Sequence, residues 1–97
     1  MKPPNECLTM QDIRAEIDAI DRQIINVFSK RFEYVKAASK FKTSETSVKA
    51  PERFKSMLQQ RRIWAEEGLN PDVIGKLYQD LVNYFIEEEL KHWQAKF

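Results

Sequence analysis

An all-α fold of three helices is predicted by three observations. Apolar residues recur at steps of three and four, and no segment shows the strict alternation of a strand. Glycine and proline are scarce, 2 and 4 in 97 residues, and half of them, Pro51, Gly68 and Pro71, fall where helices would start or stop. One domain spanning 1–97 is expected. The net charge is +1, from 16 basic and 15 acidic residues mixed along the chain. That argues against a general nucleic-acid surface, which calls for a basic stripe. Cys7 is the only cysteine, so no intrachain disulfide or cysteine-rich metal site is expected, and a reduced, cytoplasmic setting fits. The opening Met1-Lys2-Pro3-Pro4-Asn5-Glu6 lacks the apolar run of a signal peptide. No stretch approaches ~18 apolar residues, so no membrane span is expected.

Residues 1–8 read as a tail. Thr9 is a suitable N-cap with Asp12 three residues on, a near capping box in which Asp replaces the usual Glu or Gln. No Gly or Pro occurs between Asn5 and Ala50, and the first helix is predicted to run to about Lys42. Its apolar stripe is Ile13, Ile17, Ile20, Ile24, Val27, Phe28, Tyr34, Val35, Ala38 and Phe41. The side chains of Thr43-Ser44-Glu45-Thr46-Ser47 compete for backbone hydrogen bonds, which predicts a mobile loop over 43–49. Pro51 opens a second helix carrying Phe54, Met57, Leu58, Trp64 and Ala65, with Gly68 expected as its C-cap. Asn70-Pro71, an N-cap followed by proline, starts a third helix with Val73, Ile74, Leu77, Leu81, Val82, Phe85, Ile86 and Trp93 on its apolar side.

The first helix is too long for its own globule. From Met10 to Phe41 it would measure ~48 Å, against a diameter of roughly 32 Å for a compact chain of this length. Either the helix kinks near residue 30, or a second subunit covers the exposed stripe.

Arg31 falls on that stripe, where a buried guanidinium needs an anionic partner. An internal salt bridge or a stem that snorkels to the surface would serve equally. On a continuous helix Lys42 lies ~16 Å further along and only ~20° around the axis, so the two cations lean together and could grip one small anion. Taken alone, Lys42 is also an ordinary exposed lysine near a helix C-terminus, favoured by the dipole. Arg14 lies ~25 Å from Arg31 and ~100° around the helix. If all three serve one site, another subunit must supply Arg14. Glu89 follows Val82 and Phe85 on an apolar face of the third helix, with Glu87 and Glu88 turned away. A carboxyl group there has a raised pKa unless a cation sits beside it. It is either a structural partner for a buried base or a protonated acid that donates to a ligand oxygen. Arg53 sits in the first turn of the second helix, where a cation opposes the dipole at a cost that an anionic ligand would offset.

His92 and Cys7 have no partner at metal or nucleophile–base spacing, and no glycine-rich phosphate loop exists. Several cations, one acid and no base–nucleophile pair suit a site that holds a small dicarboxylate in a reactive shape and stabilises charge as a bond breaks.

The runs Asp12-Ile13-Arg14, Ile17-Asp18-Ala19-Ile20-Asp21, Lys30-Arg31, Tyr34 to Lys42 and Ala50-Pro51-Glu52-Arg53 resemble the all-helical chorismate mutase family. Within it they look most like the isochorismate-pyruvate lyases that make salicylate for siderophores. The likeness covers nearly the whole chain, including Trp64-Ala65-Glu66-Glu67 and Lys91-His92-Trp93. It implies an intertwined homodimer with two equivalent sites, each taking Arg14 from one subunit and Arg31, Lys42, Arg53 and Glu89 from the other. By this resemblance Arg14 and Arg31 bind the substrate carboxylates and Arg53 assists from the ring side. Lys42 reaches the ether oxygen, and the 43–49 loop closes over the site. The implied reaction is pericyclic, turns isochorismate into salicylate and pyruvate, and uses no metal or organic cofactor. Glu89 departs from the lyase pattern, where glutamine is usual, while some mutases carry glutamate. A chorismate mutase, rearranging chorismate to prephenate, is therefore the alternative, and a non-catalytic helical dimer a third reading.

Overall fold

The computed structural model describes residues 2–95 and is helical throughout, with no strand among them. Four α-helices occur in order: α1 Met10–Ala38, α2 Glu45–Lys49, α3 Pro51–Ala65 and α4 Pro71–Gln94. Single 3-10 turns cover Pro4–Glu6 and Ser39–Phe41. The three long helices are those predicted, and α2 is an addition. The chain divides into two compact units, Met1–Tyr34 and Val35–Phe97.

In the first unit, Thr9 caps α1 as expected, its hydroxyl accepting from the Asp12 amide at 3.1 Å. The Asp12 carboxylate reaches past the cap to the Leu8 amide at 3.0 Å. That bond, with the Lys2 ammonium 3.6 Å away, holds its pKa below the usual aspartate range. The helix continues past residue 30 without a break, so no interruption shortens it. No residue of α1 is buried: Ile17, Ile20 and Ile24 are 49%, 41% and 43% exposed. The stripe expected to be buried is open to solvent in the single chain.

The α-helix stops at Ala38, four residues before the predicted end. The Ser39 hydroxyl donates to the Lys36 carbonyl at 2.6 Å, the local competition that destabilises a helix interior. A 3-10 turn follows, and Lys42 is extended at φ −90°, ψ 138°. The α-helical projection that aligned Lys42 with Arg31 therefore does not reach Lys42.

The second unit is built on α4, which packs mainly against α3 and also against α2 and the Ser39–Phe41 turn. Its core holds Val48, Met57, Ala65, Val82 and Phe85, together with two buried polar residues, Ser39 and Glu89. The segment expected to be loop forms α2 through a capping box. The Ser44 hydroxyl accepts from the Ser47 amide at 3.1 Å, and the Ser47 hydroxyl accepts from the Ser44 amide at 3.0 Å. Val48, buried on the inner side of α2, pins this short helix to the core. Ala50 then adopts the left-handed conformation, φ 40°, ψ 62°, closing α2 and opening α3. Pro51 begins α3 as predicted, because its missing N–H is not needed there.

Gly68 does not cap α3. The helix ends at Ala65, Glu66 takes the cap position in right-handed geometry, and no glycine has positive φ. The amides of Gly68 and Leu69 instead share the Ala65 carbonyl at 3.1 and 2.8 Å. Asn70 caps α4 as predicted, its side-chain oxygen accepting from the amides of Asp72 and Val73 at 2.9 and 3.3 Å. Gly75 is buried, and a Cβ there would meet the flexible end of the Arg62 side chain, which would have to swing aside.

Candidate active site

The inner face of α4 carries Val82, Phe85 and Glu89, at the three- and four-residue steps of one helix face. Glu89 is thereby placed among apolar neighbours, only 5% exposed, whereas Glu87 is exposed and Glu88 pairs with Lys91 at 3.1 Å. Its Oε2 is buried without a hydrogen-bond partner. A group in that position costs free energy unless something satisfies it.

Lys42 is the cation that faces it. Its Nζ lies 3.7 Å from Glu89 Oε2, close enough for charge attraction and too far for a hydrogen bond. The ammonium instead donates to the Ser47 carbonyl of α2 at 2.9 Å. Burial raises the Glu89 pKa above the ordinary 4.5, while Lys42 and, more weakly, His92 on the same helix pull it down. A cation does stand beside the desolvated carboxyl, yet desolvation prevails, so the expected exception does not apply and the direction stays upward.

Of the five residues singled out from sequence, the structure joins Lys42 and Glu89. Arg53 is exposed in the first turn of α3. Arg31, half-buried, and Arg14, exposed, lie on α1 in the first unit.

Two participants escaped sequence reasoning. Ser47 holds the lysine head by a backbone carbonyl, which any residue type could supply, so no residue identity marked it. Trp93 donates its indole N–H to the Lys42 carbonyl at 3.0 Å. Its spacing of four residues from Glu89 was a usable signal, since it puts both on one side of α4.

An ammonium and an acid that face each other can offer two hydrogen-bond donors to an oxygen-bearing ligand, provided the acid is protonated. Among the described residues no three His, Cys, Asp or Glu side chains cluster as metal ligands, and no helix is long and apolar enough to cross a membrane.

The chain is similar in sequence to known proteins over most of its length. An isochorismate pyruvate lyase of Pseudomonas aeruginosa is 43% identical over 95 residues, covering 97% of this chain and 94% of that protein. A T-protein of Haemophilus influenzae is 40% identical over 81 residues, or 81% of this chain, which spans only 20% of that longer protein. The chorismate mutase type II family matches residues 13–90, a stretch that includes Lys42, Glu89 and all three arginines of interest. The chain belongs to the chorismate mutase type II family.

Proposed function

We infer that this protein is an isochorismate pyruvate lyase. The observation that carries the reading is the 43% identity to such an enzyme across 97% of the chain. The pairing of half-buried Lys42 with buried Glu89 supports it, as it offers the kind of donors that an ether oxygen needs when its bond to carbon breaks.

In this reaction a ring hydrogen moves to the enolpyruvyl methylene while the ring C–O bond breaks. The ring becomes aromatic salicylate and the side chain leaves as pyruvate, so every atom and electron pair is retained within the substrate. The protein need only hold the substrate folded and favour the charge that gathers on the ether oxygen. In our proposal Lys42 leaves the Ser47 carbonyl and donates to that oxygen, and protonated Glu89 donates a second hydrogen bond. Arg31 and Arg53 hold the carboxylates together with Arg14 of a partner subunit, in an intertwined homodimer. Residues 1–97 then act as one cytoplasmic chorismate mutase-like domain, with 43–49 as the segment over the site. The open isoleucine stripe of α1 supports the dimer, since a second subunit would remove that apolar surface from water.

Chorismate is the second substrate to consider. The family match is compatible with some rearrangement of chorismate to prephenate as a side activity.

The test is a rate comparison on the two substrates. Salicylate fluorescence should rise on mixing with isochorismate, at a kcat/KM well above that for chorismate; a rise no faster than the uncatalysed reaction would overturn the reading. Lys42→Ala should lower kcat by about 10²-fold or more, the usual loss for a donor aimed at developing negative charge.

A further inference from the structure

Lys42 lies between two structured pieces, the Ser39–Phe41 turn and α2, and is itself extended. A lysine so placed would ordinarily share the freedom of a linker. Here its backbone is held on both sides. Its amide donates to the Ser39 carbonyl at 3.1 Å, and its carbonyl accepts the Trp93 indole N–H at 3.0 Å. The amide of Thr43, on the other side of the same planar peptide, donates to the Ser47 hydroxyl at 3.1 Å. The Lys42–Thr43 peptide is thus clamped between α4 and α2.

We propose that Trp93 is a positioning residue for Lys42: it holds the lysine's carbonyl from α4 while Glu89, one turn earlier on that helix, faces the ammonium. The inference rests on the role given above to Lys42. One helix face then controls both ends of the lysine, and the distance between them is set by the rigid spacing of α4. Four side-chain torsions separate the Lys42 backbone from Nζ, so a backbone that drifts carries the ammonium with it. Drift of about 1 Å at a reacting group can cost ~10²-fold in rate. Loss of one hydrogen bond alone corresponds to about fivefold. The expected loss lies between those values.

The experiment replaces Trp93 by phenylalanine and, separately, by the near-isosteric 3-benzothienylalanine, which keeps the ring's shape and removes only the donor. With isochorismate as substrate, both variants should show kcat lowered by about five- to a hundredfold with KM changed by less than about twofold. Amide hydrogen exchange should be faster at Thr43 and unchanged at the centre of α3. Unaltered protection at Thr43 in the benzothienylalanine protein would overturn the proposal, as would unaltered kcat. Faster exchange throughout α3 and α4 in that protein would also overturn it, since Trp93 would then be serving only the fold. Lys42→Ala separates this idea from its premise. If that variant keeps full turnover, the role of the lysine fails, while exchange at Thr43 still decides whether Trp93 tethers the peptide.

Discussion

A carboxyl group shut away from water holds its proton more tightly than it would in the unfolded chain, and Glu89 is in that position. Its raised pKa fixes the sign of two pH effects. The folded state binds the Glu89 proton more strongly than the unfolded state, so the stabilising share is full below about pH 4.5 and is lost as pH rises through the folded value. If the protonated acid donates to the substrate, activity falls over the same rise. Glu89→Gln donates at any pH. It should show a flatter stability profile in urea titrations above pH 4.5 and keep its lyase rate at higher pH. Parallel pH profiles for parent and variant would show that Glu89 is neither held protonated nor used as a donor. Ala50 stores a different strain. It is the only described non-glycine residue with positive φ, a conformation that costs an L-residue roughly 1–2 kcal/mol. Its amide and carbonyl hold the end of α2 and the start of α3, bonding Thr46 and Phe54 at 2.9 Å each. Ala50→Gly should therefore stabilise the fold by about 0.5–1 kcal/mol, glycine's extra freedom in the unfolded chain offsetting part of the relief. A higher Tm in calorimetry is the expected result.

At the scale of elements, helix starts were legible and helix ends were not. Thr9, Pro51 and Asn70 act over one turn, through a side-chain acceptor or a missing donor, so residue type alone identifies them. Ends depend on where the chain must go next. Ala38 ends α1 because Ser39 turns inward, becoming buried and bonding to Lys36. Gly68 is an attractive cap, yet α3 ends three residues before it. The 43–49 segment shows the same ambiguity. Serines that compete with a helix from within also cap one from its edge, and the burial of Val48 selects the second outcome. As a consequence the carbonyl of Ser47 comes within 2.9 Å of Lys42 Nζ, so the short helix holds the lysine head.

At the scale of the whole molecule, the open stripe of α1 is the dominant fact. Ile17, Ile20 and Ile24, with Val27 at 59% exposure, make an apolar surface of the kind that marks an interface. We propose that a second copy covers it and brings Arg14 to the partner's Lys42. Arg14→Ala and Lys42→Ala should each be nearly inactive alone. Co-refolded in equal amounts, they should recover about a quarter of wild-type activity, because half of the dimers are mixed and each mixed dimer has one intact site. No recovery would place every catalytic group in one chain. Equilibrium sedimentation of the unmixed protein checks the dimer itself.

The sequence by itself determined the helical class, the starts of the three long helices and the desolvated place of Glu89. These follow from periodicity and capping, which operate over a few neighbouring residues. The tertiary structure decided what meets what. It set Lys42 beside Glu89 across 47 positions of chain, tied its backbone to Trp93, and made a helix of an expected loop. Those outcomes depend on distant segments packing into the same space, where burial overrides local preference, and no short window of residues encodes that.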